Sequence, residues 1–334
     1  MSTTTTTATS TKTSEHPLQY LPIGLFGSVM GLSGLSSAWR LAHAHSGAPE
    51  WIAQAVGAVA VAVFVALLIA YAVKAIASPD AVRAEFRHPI AGNLFGTFII
   101  SFLLLPLIVA PVALLVAQAL WTVGAIAMIL FAWRIVDRWM NDVQQPEHAT
   151  PAWIVPVVGM LDVPLAMPVL DLPGEVQIVR LLGLAVGLFF ALPLFTLILG
   201  RLIFQPQMPP ALQPTLLILL APFSVGMSTD FVTVGRIDTF ALALFLLALF
   251  MLAVLVGRLR FLRRCCPFRV TWWAVSFPLA SIAIAAFRVA DAYPGAATTG
   301  LAWALLLASS GVMAWLLVRT LTGIVRGELK TLST

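Results

Sequence analysis

Gly31-Leu32-Ser33-Gly34 sets a serine between glycines inside an apolar run, the setting of a nucleophilic serine in intramembrane proteolysis. That chemistry needs a histidine within hydrogen-bond reach to take the hydroxyl proton. The five histidines, His16, His43, His45, His88 and His148, all fall in tails, loops or the ends of apolar runs. Without a buried base the serine is a packing residue. His43-x-His45 offers two ligands where a metal site needs more, so both are read as solvated. Cys265 and Cys266 are adjacent in an Arg-rich loop with no second pair, which supports neither a zinc site nor a disulfide. They are read as reduced thiols. Metalloprotease, phosphate-loop and dinucleotide-binding patterns are absent. No metal, cofactor or enzymatic activity is expected.

Asp162 is the one acid deep within an apolar run. An ionisable group there is costly and marks a candidate functional site. It could carry protons or repel anions; equally, it could pair with Arg180 or cap a helix broken at Pro164. The most specific local pattern is Thr271-Trp272-Trp273-Ala274-Val275-Ser276-Phe277-Pro278. Pro278 disfavours helical geometry at Phe277, and an aromatic ring beside a kink can protrude into a lumen. Read alone, Phe277 is as readily a core or lipid-facing ring.

The elements that must position these residues are membrane helices. Hydrophobic residues make up 60% of the 334 and charged residues 10%, against about 45–50% and about 25% in a soluble domain. Ten apolar runs are long enough to cross a bilayer: about 21–42, 51–74, 93–110, 112–134, 152–170, 177–200, 213–230, 237–257, 270–288 and 298–320. The third and fourth are divided only by Pro111 and its neighbours. A disordered, Ser/Thr-rich tail over 1–18, a ten-helix domain over 19–322 and a short tail over 323–334 complete the chain.

Placing the N-terminus inside leaves only Arg40, Arg180, Arg236 and Arg288 of the 19 Lys and Arg on the outer side. That asymmetry predicts an even number of spans with both termini cytoplasmic. The net charge of +5 therefore reflects topology and gives no sign of a nucleic-acid partner. Ala42-His43-Ala44 resembles a signal-cleavage site, but the preceding segment is long and nearly uncharged, so cleavage is not expected.

Prolines alternate along the runs. Pro106, Pro156 with Pro164, Pro222 and Pro278 fall in the third, fifth, seventh and ninth, whereas only Pro193 lies well inside an even run. A proline inside a helix removes a donor and bends it, and freed backbone at membrane depth is tolerated where it lines a cavity. Helix pairs also recur at intervals of roughly 60 residues, as stacked hairpin units would. The expectation is five hairpins in a pseudo-fivefold arrangement, with kinked inner helices around a central pore. The other reading is that ten spans always pair and the proline bias is chance. Gly24, Gly27, Gly31 and Gly34 form a small-residue stripe in the first span, suited to close helix packing or to a pore wall.

The Trp-Trp-x-x-Ser-Phe-Pro stretch resembles the ninth helix of the tellurite-resistance and C4-dicarboxylate (TehA-type) transporter family, which includes the guard-cell slow anion channels of plants. Further matches are Pro22-Ile23-Gly24-Leu25-Phe26-Gly27, Phe86-Arg87-His88-Pro89 with Asn93-Leu94-Phe95-Gly96, Pro151 to Gly159, and Ala221-Pro222-Phe223-Ser224-Val225-Gly226. They lie in all five odd spans, in family order. The resemblance implies a homotrimer of independent pores, with Phe277 plugging each pore; Gly27, Gly31 and Ser276 are read with the kink prolines as pore-lining residues. Asp162 departs from the family pattern, where an uncharged residue is expected. The function implied is a channel in a bacterial inner membrane that passes small anions such as chloride or nitrate. The alternative is a secondary transporter of C4-dicarboxylate, sulfite or tellurite-related anions, proton-coupled through Asp162. A structural or receptor-like membrane protein would show no flux at all.

Overall fold

A computed structural model describes residues 17–265 and 267–333. The tail expected over 1–18 lies outside the described residues up to His16, as does Cys266. Among the described residues the chain is entirely helical, and nine helices are long and apolar enough to cross a membrane. This is a multi-pass helical membrane protein. In chain order the long segments are α1 (Gly27–Ser46), α2 (Glu50–Ala77), α3 (Ala91–Val109), α4 (Leu114–Asn141) and α5 (Pro151–Val169). They continue as α6 (Gln177–Phe204), α7 (Pro210–Val234), α8 (Thr239–Cys265), α9 (Val270–Ala292) and α10 (Ala296–Val325). The segment outside the nine is α1, whose glycines and serines make it less apolar. Its 20 residues still reach about 30 Å. The chain leaves helix between Val109 and Leu114, around the exposed Pro111.

The odd segments share a construction. Each opens in 3-10 turns: Ile23–Phe26 ahead of α1, Ala91–Leu94 in α3, Pro151–Ile154 in α5, Pro210–Leu220 in α7 and Val270–Val275 in α9. Pro156, Pro222 and Pro278 each sit in the first turn of the α-helix that follows. Pro106 opens the short helix Pro106–Val109, after a break at Leu105. The N–H that each proline lacks would otherwise reach back to the preceding 3-10 turn, so the break falls where that turn passes into α-helix. Phe277 is helical, in Ser276–Ala292, despite preceding a proline. At Pro156, Pro222 and Pro278 the bends expected from mid-helix prolines are junctions between 3-10 and α geometry.

Pro164 differs, because it lies inside the 3-10 run Gly159–Val169. A 3-10 helix bonds each carbonyl to the N–H three residues on, so Pro164 leaves the Leu161 carbonyl without a donor. Thr229 on α7 supplies one, its Oγ1 donating to that carbonyl at 2.5 Å. Arg180 does not pair with Asp162; its Nη1 donates to the Val232 carbonyl at 3.1 Å.

Burial separates the two sets of helices. In α3, α5, α7 and α9, 56%, 83%, 72% and 83% of the most apolar stretch is buried, against 17% to 33% in α2, α4, α6, α8 and α10. Glycines let the layers approach. A Cβ added at Gly187 of α6 would stand 2.5 Å from Leu161, and one at Gly31 of α1 would stand 2.2 Å from the Ser276 Oγ. The far ends of α3 and α5 are capped by side chains, since the last carbonyls of a helix lack intrahelical donors. Arg40 donates to the Leu107 carbonyl at the end of α3, and Gln118 to the Leu170 carbonyl after α5, at 2.7 Å.

Candidate functional site

A cavity of about 400 Å³ runs into the molecule from the end at which the odd helices begin. Gly27 and Met30 of α1, Thr97 and Ile100 of α3, and Val158, Gly159 and Asp162 of α5 line it. Ile218 and Val225 of α7 and Trp273, Phe277 and Pro278 of α9 complete the wall. All five odd segments contribute, and among the described residues none of the lining comes from α2, α4, α6, α8 or α10. At the deep end stand Met30, Ile100, Asp162, Val225 and Phe277. The Phe277 side chain is 7% exposed and packs beside Gly34, where an added Cβ would lie 3.4 Å from its Cδ2.

Of the residues singled out in the sequence, Gly27, Asp162, Phe277 and Pro278 meet at this cavity. Pro106, Pro156, Pro164, Pro222, Gly31 and Ser276 lie outside its lining. Ser276 is fully buried behind the wall, its Oγ donating to the Trp273 carbonyl at 2.7 Å and the Gly27 carbonyl at 3.2 Å. The glycine stripe therefore divides: Gly24 and Gly27 border the cavity, and Gly31 and Gly34 seat α1 on α9. Asp162 is 3% exposed, and its Oδ1 has no hydrogen-bond partner among the described residues.

The mouth carries a cluster that the sequence did not reveal. Glu85 accepts from the Ile23 N–H at 2.7 Å through Oε1, and from the Tyr71 hydroxyl at 3.0 Å and Lys74 Nζ at 2.6 Å through Oε2. Lys74, 3% exposed, also donates to the Leu21 carbonyl at 2.6 Å. One carboxylate thus caps the first 3-10 turn ahead of α1 and ties it to α2, as an anionic group suits a helix N-terminus. The spacing Lys74 to Glu85 crosses a helix break at Ser78, so no periodic pattern exposes it.

His88 lines the same mouth and caps α3. Its Nδ1 accepts from the Ile90 and Ala91 N–H groups at 3.2 and 3.1 Å. Burial, and then the nearby His148 and Arg138, lower its pKa from the ordinary histidine value. Arg269 reaches across the mouth to the Thr331 carbonyl at 2.7 Å, so the last described helix, Leu329–Ser333, borders the opening through the buried Leu332. His16 lies outside the described residues, and His43 and His45 lie at the opposite end. His45, expected to be solvated, instead pairs with Asp291 at 2.5 Å and contacts Thr299 at 3.2 Å. His43 contacts the Ala48 carbonyl at 2.6 Å.

A wall of apolar and small residues with few charges can pass a solute without holding it tightly. Comparison with known proteins gives this arrangement a family. The chain is 29% identical over 311 residues to the S-type anion channel SLAH3 of Arabidopsis thaliana, covering 90% of this chain and 48% of that protein. It is 28% identical over 313 residues to the guard cell S-type anion channel SLAC1 of the same plant, covering 90% and 55%. It therefore spans about half the length of these plant relatives. To the tellurite resistance protein TehA homolog of Haemophilus influenzae it is 27% identical over 326 residues, covering 92% of each. Residues 20–321 match the SLAC1 family, described as voltage-dependent anion channels, a family of channels rather than enzymes. The chain belongs to that family.

Proposed function

We propose that this protein is an anion channel whose pathway runs through the cavity and is occluded by the Phe277 ring. The observation that carries the reading is the origin of the lining: five odd segments surround the space, no even segment reaches it, and Phe277 stands at its deep end. Five hairpins, each giving one inner and one outer helix, account for that alternation, with α1 as the tenth span. The permeant species are small anions such as chloride or nitrate. No lysine or arginine lines the deep end, so anions bind weakly and leave as easily as they enter. The protein acts as a homotrimer in a bacterial inner membrane, with both termini cytoplasmic and the open mouth facing the cytoplasm.

Anion flux into liposomes tests the reading. Wild type should be nearly closed and Phe277→Ala should conduct. Two silent proteins would sink the channel reading.

A second reading is favoured by Asp162, whose Oδ1 is buried without a partner at the cavity wall. A carboxyl there can exchange a proton with a solute-filled space, as a coupled exporter of dicarboxylate, sulfite or tellurite-related anions requires. A pH gradient that drives uphill anion movement in wild type, and fails to in Asp162→Asn, would establish it; a channel cannot do this.

A further inference from the structure

Beyond Phe277, α9 offers little surface. From Ser276 to Ala290 every residue is buried except Ile284 and Arg288. These two stand at i+7 and i+11 from Phe277, with Ser281 at i+4, so all four share one helix face. Accessible surface therefore reappears in line with the Phe277 ring. Arg288 lies about 16 Å further along the helix, on the side away from the cavity, whose α9 lining ends at Pro278.

Arg288 lies within a spanning helix, where an unpaired cation is expensive. Its Nη1 donates to the Ser228 carbonyl at 2.8 Å, and its guanidinium sits 4.6 Å from the centre of the Phe231 ring. Among the described residues no carboxylate pairs with it, and no acceptor meets its Nε or Nη2. Ser228 is 3% exposed and its own Oγ has no partner. It lies one turn beyond Val225, which lines the cavity on α7. A guanidinium with unused donors and a residue with an unused buried hydroxyl are thus joined through the Ser228 carbonyl, on two inner helices just beyond the cavity lining.

We propose that Arg288 and Ser228 form an anion-binding site on the far side of Phe277 from the cavity, selective for planar oxyanions such as nitrate or a carboxylate over spherical halides. A guanidinium presents parallel N–H donors that match two oxygens of a planar anion, a geometry that a halide cannot use. The inference rests on the reading of this chain as an anion pathway closed by Phe277. The competing role is purely structural, since Arg40 and Arg180 use their guanidinium groups to cap the ends of α3 and α7.

The test uses the Phe277→Ala protein in liposomes, with nitrate or chloride titrated from the side that bears Arg288. Adding Arg288→Gln should raise the half-saturating nitrate concentration roughly tenfold, the loss expected for a hydrogen bond to a charged group, and should erase any preference for nitrate over chloride. Arg288→Lys, which keeps the charge and loses the parallel donors, should conduct both anions without restoring that preference. Unchanged half-saturation and an unchanged nitrate-to-chloride ratio in Arg288→Gln would overturn the site and leave a capping arginine. Should Arg288→Gln fail to fold, an unchanged ratio in Arg288→Lys overturns it instead. If Phe277→Ala itself carries no anion, the channel reading falls and takes this site with it.

Discussion

The odd and even helices of this protein are made from similar apolar residues and obey different rules. The even helices α2, α4 and α6 run 28 residues each and α10 runs 30, without a break. They expose large side chains such as Ile69, Leu115, Phe189 and Phe250, as lipid-facing helices do. The odd helices open in 3-10 turns, and α3, α5, α7 and α9 are each more than half buried, α5 and α9 on most sides. Proline alone does not make the difference, because Pro193 sits inside α6 and the helix continues through it. The difference lies in what surrounds the backbone: lipid tolerates only self-satisfied helices, whereas neighbouring protein can donate to the carbonyls that an irregular helix leaves free. Thr229 on Leu161 is such a donor.

Substitutions matched across the two sets can break this contrast. The largest expected effect is functional: Phe277→Ala should turn a nearly silent protein into a conducting one, while Phe250→Ala on α8 should leave liposome flux unchanged. An equal response from both would remove the distinction between inner and outer rings. Next comes packing. Gly31→Ala would force a Cβ to within 2.4 Å of the Ser276 Cβ and should cost about 2–3 kcal/mol. Gly311→Ala on α10 meets nothing within 4 Å and should stabilise by about 0.5–1 kcal/mol. Unfolding in detergent measures both.

A smaller step is Thr229→Val, which strands the Leu161 carbonyl and should cost about 1–2 kcal/mol. Thr196→Val on α6, whose hydroxyl only back-bonds to the Leu192 carbonyl on an exposed face, should stay within about 0.5 kcal/mol. The smallest effect concerns His88. Its folded-state pKa is lowered, so the unfolded chain takes up the proton first as pH falls. The stability it contributes is present above the ordinary histidine pKa of about 6.5 and is lost as pH falls through that value toward the lowered one. His88→Gln should flatten this part of the stability–pH curve, and an unaltered slope would remove the histidine from the account.

Much of this was legible in the residues. The apolar runs and the alternating prolines pointed to ten segments of two kinds, and the Trp272 to Pro278 stretch directed attention to Phe277. The 3-10 openings were not legible, since no composition separates them from α-helix when the partners that stabilise them are distant in sequence. The cluster of Tyr71, Lys74 and Glu85 escaped for a related reason: its members become neighbours only when the chain folds back after Ser78. Gly31 and Gly27 looked equivalent in the stripe, yet one packs against Ser276 and the other borders the cavity. A shift of one turn on α1 decides which, and periodicity cannot fix the rotation of a helix that is small-sided on several faces. Arg288 reads from sequence as one of four outer-side basic residues at the end of a span, and its alignment with Phe277 emerges only because α9 continues as helix to Ala292.

Gly34 carries a consequence of its own. The Phe277 ring stands against a part of α1 that has no Cβ, and one placed there would also lie 2.9 Å from the Cβ of Ala280. Under the gating role proposed for Phe277, the room open to the ring is set by a helix distant in sequence, as a door's swing is set by its frame. A displacement of α1 by a fraction of an ångström would widen or narrow that arc with the phenylalanine unchanged. The leakiness of the closed pore would then be tuned by the small residues beside the ring, Gly34 and Ala280.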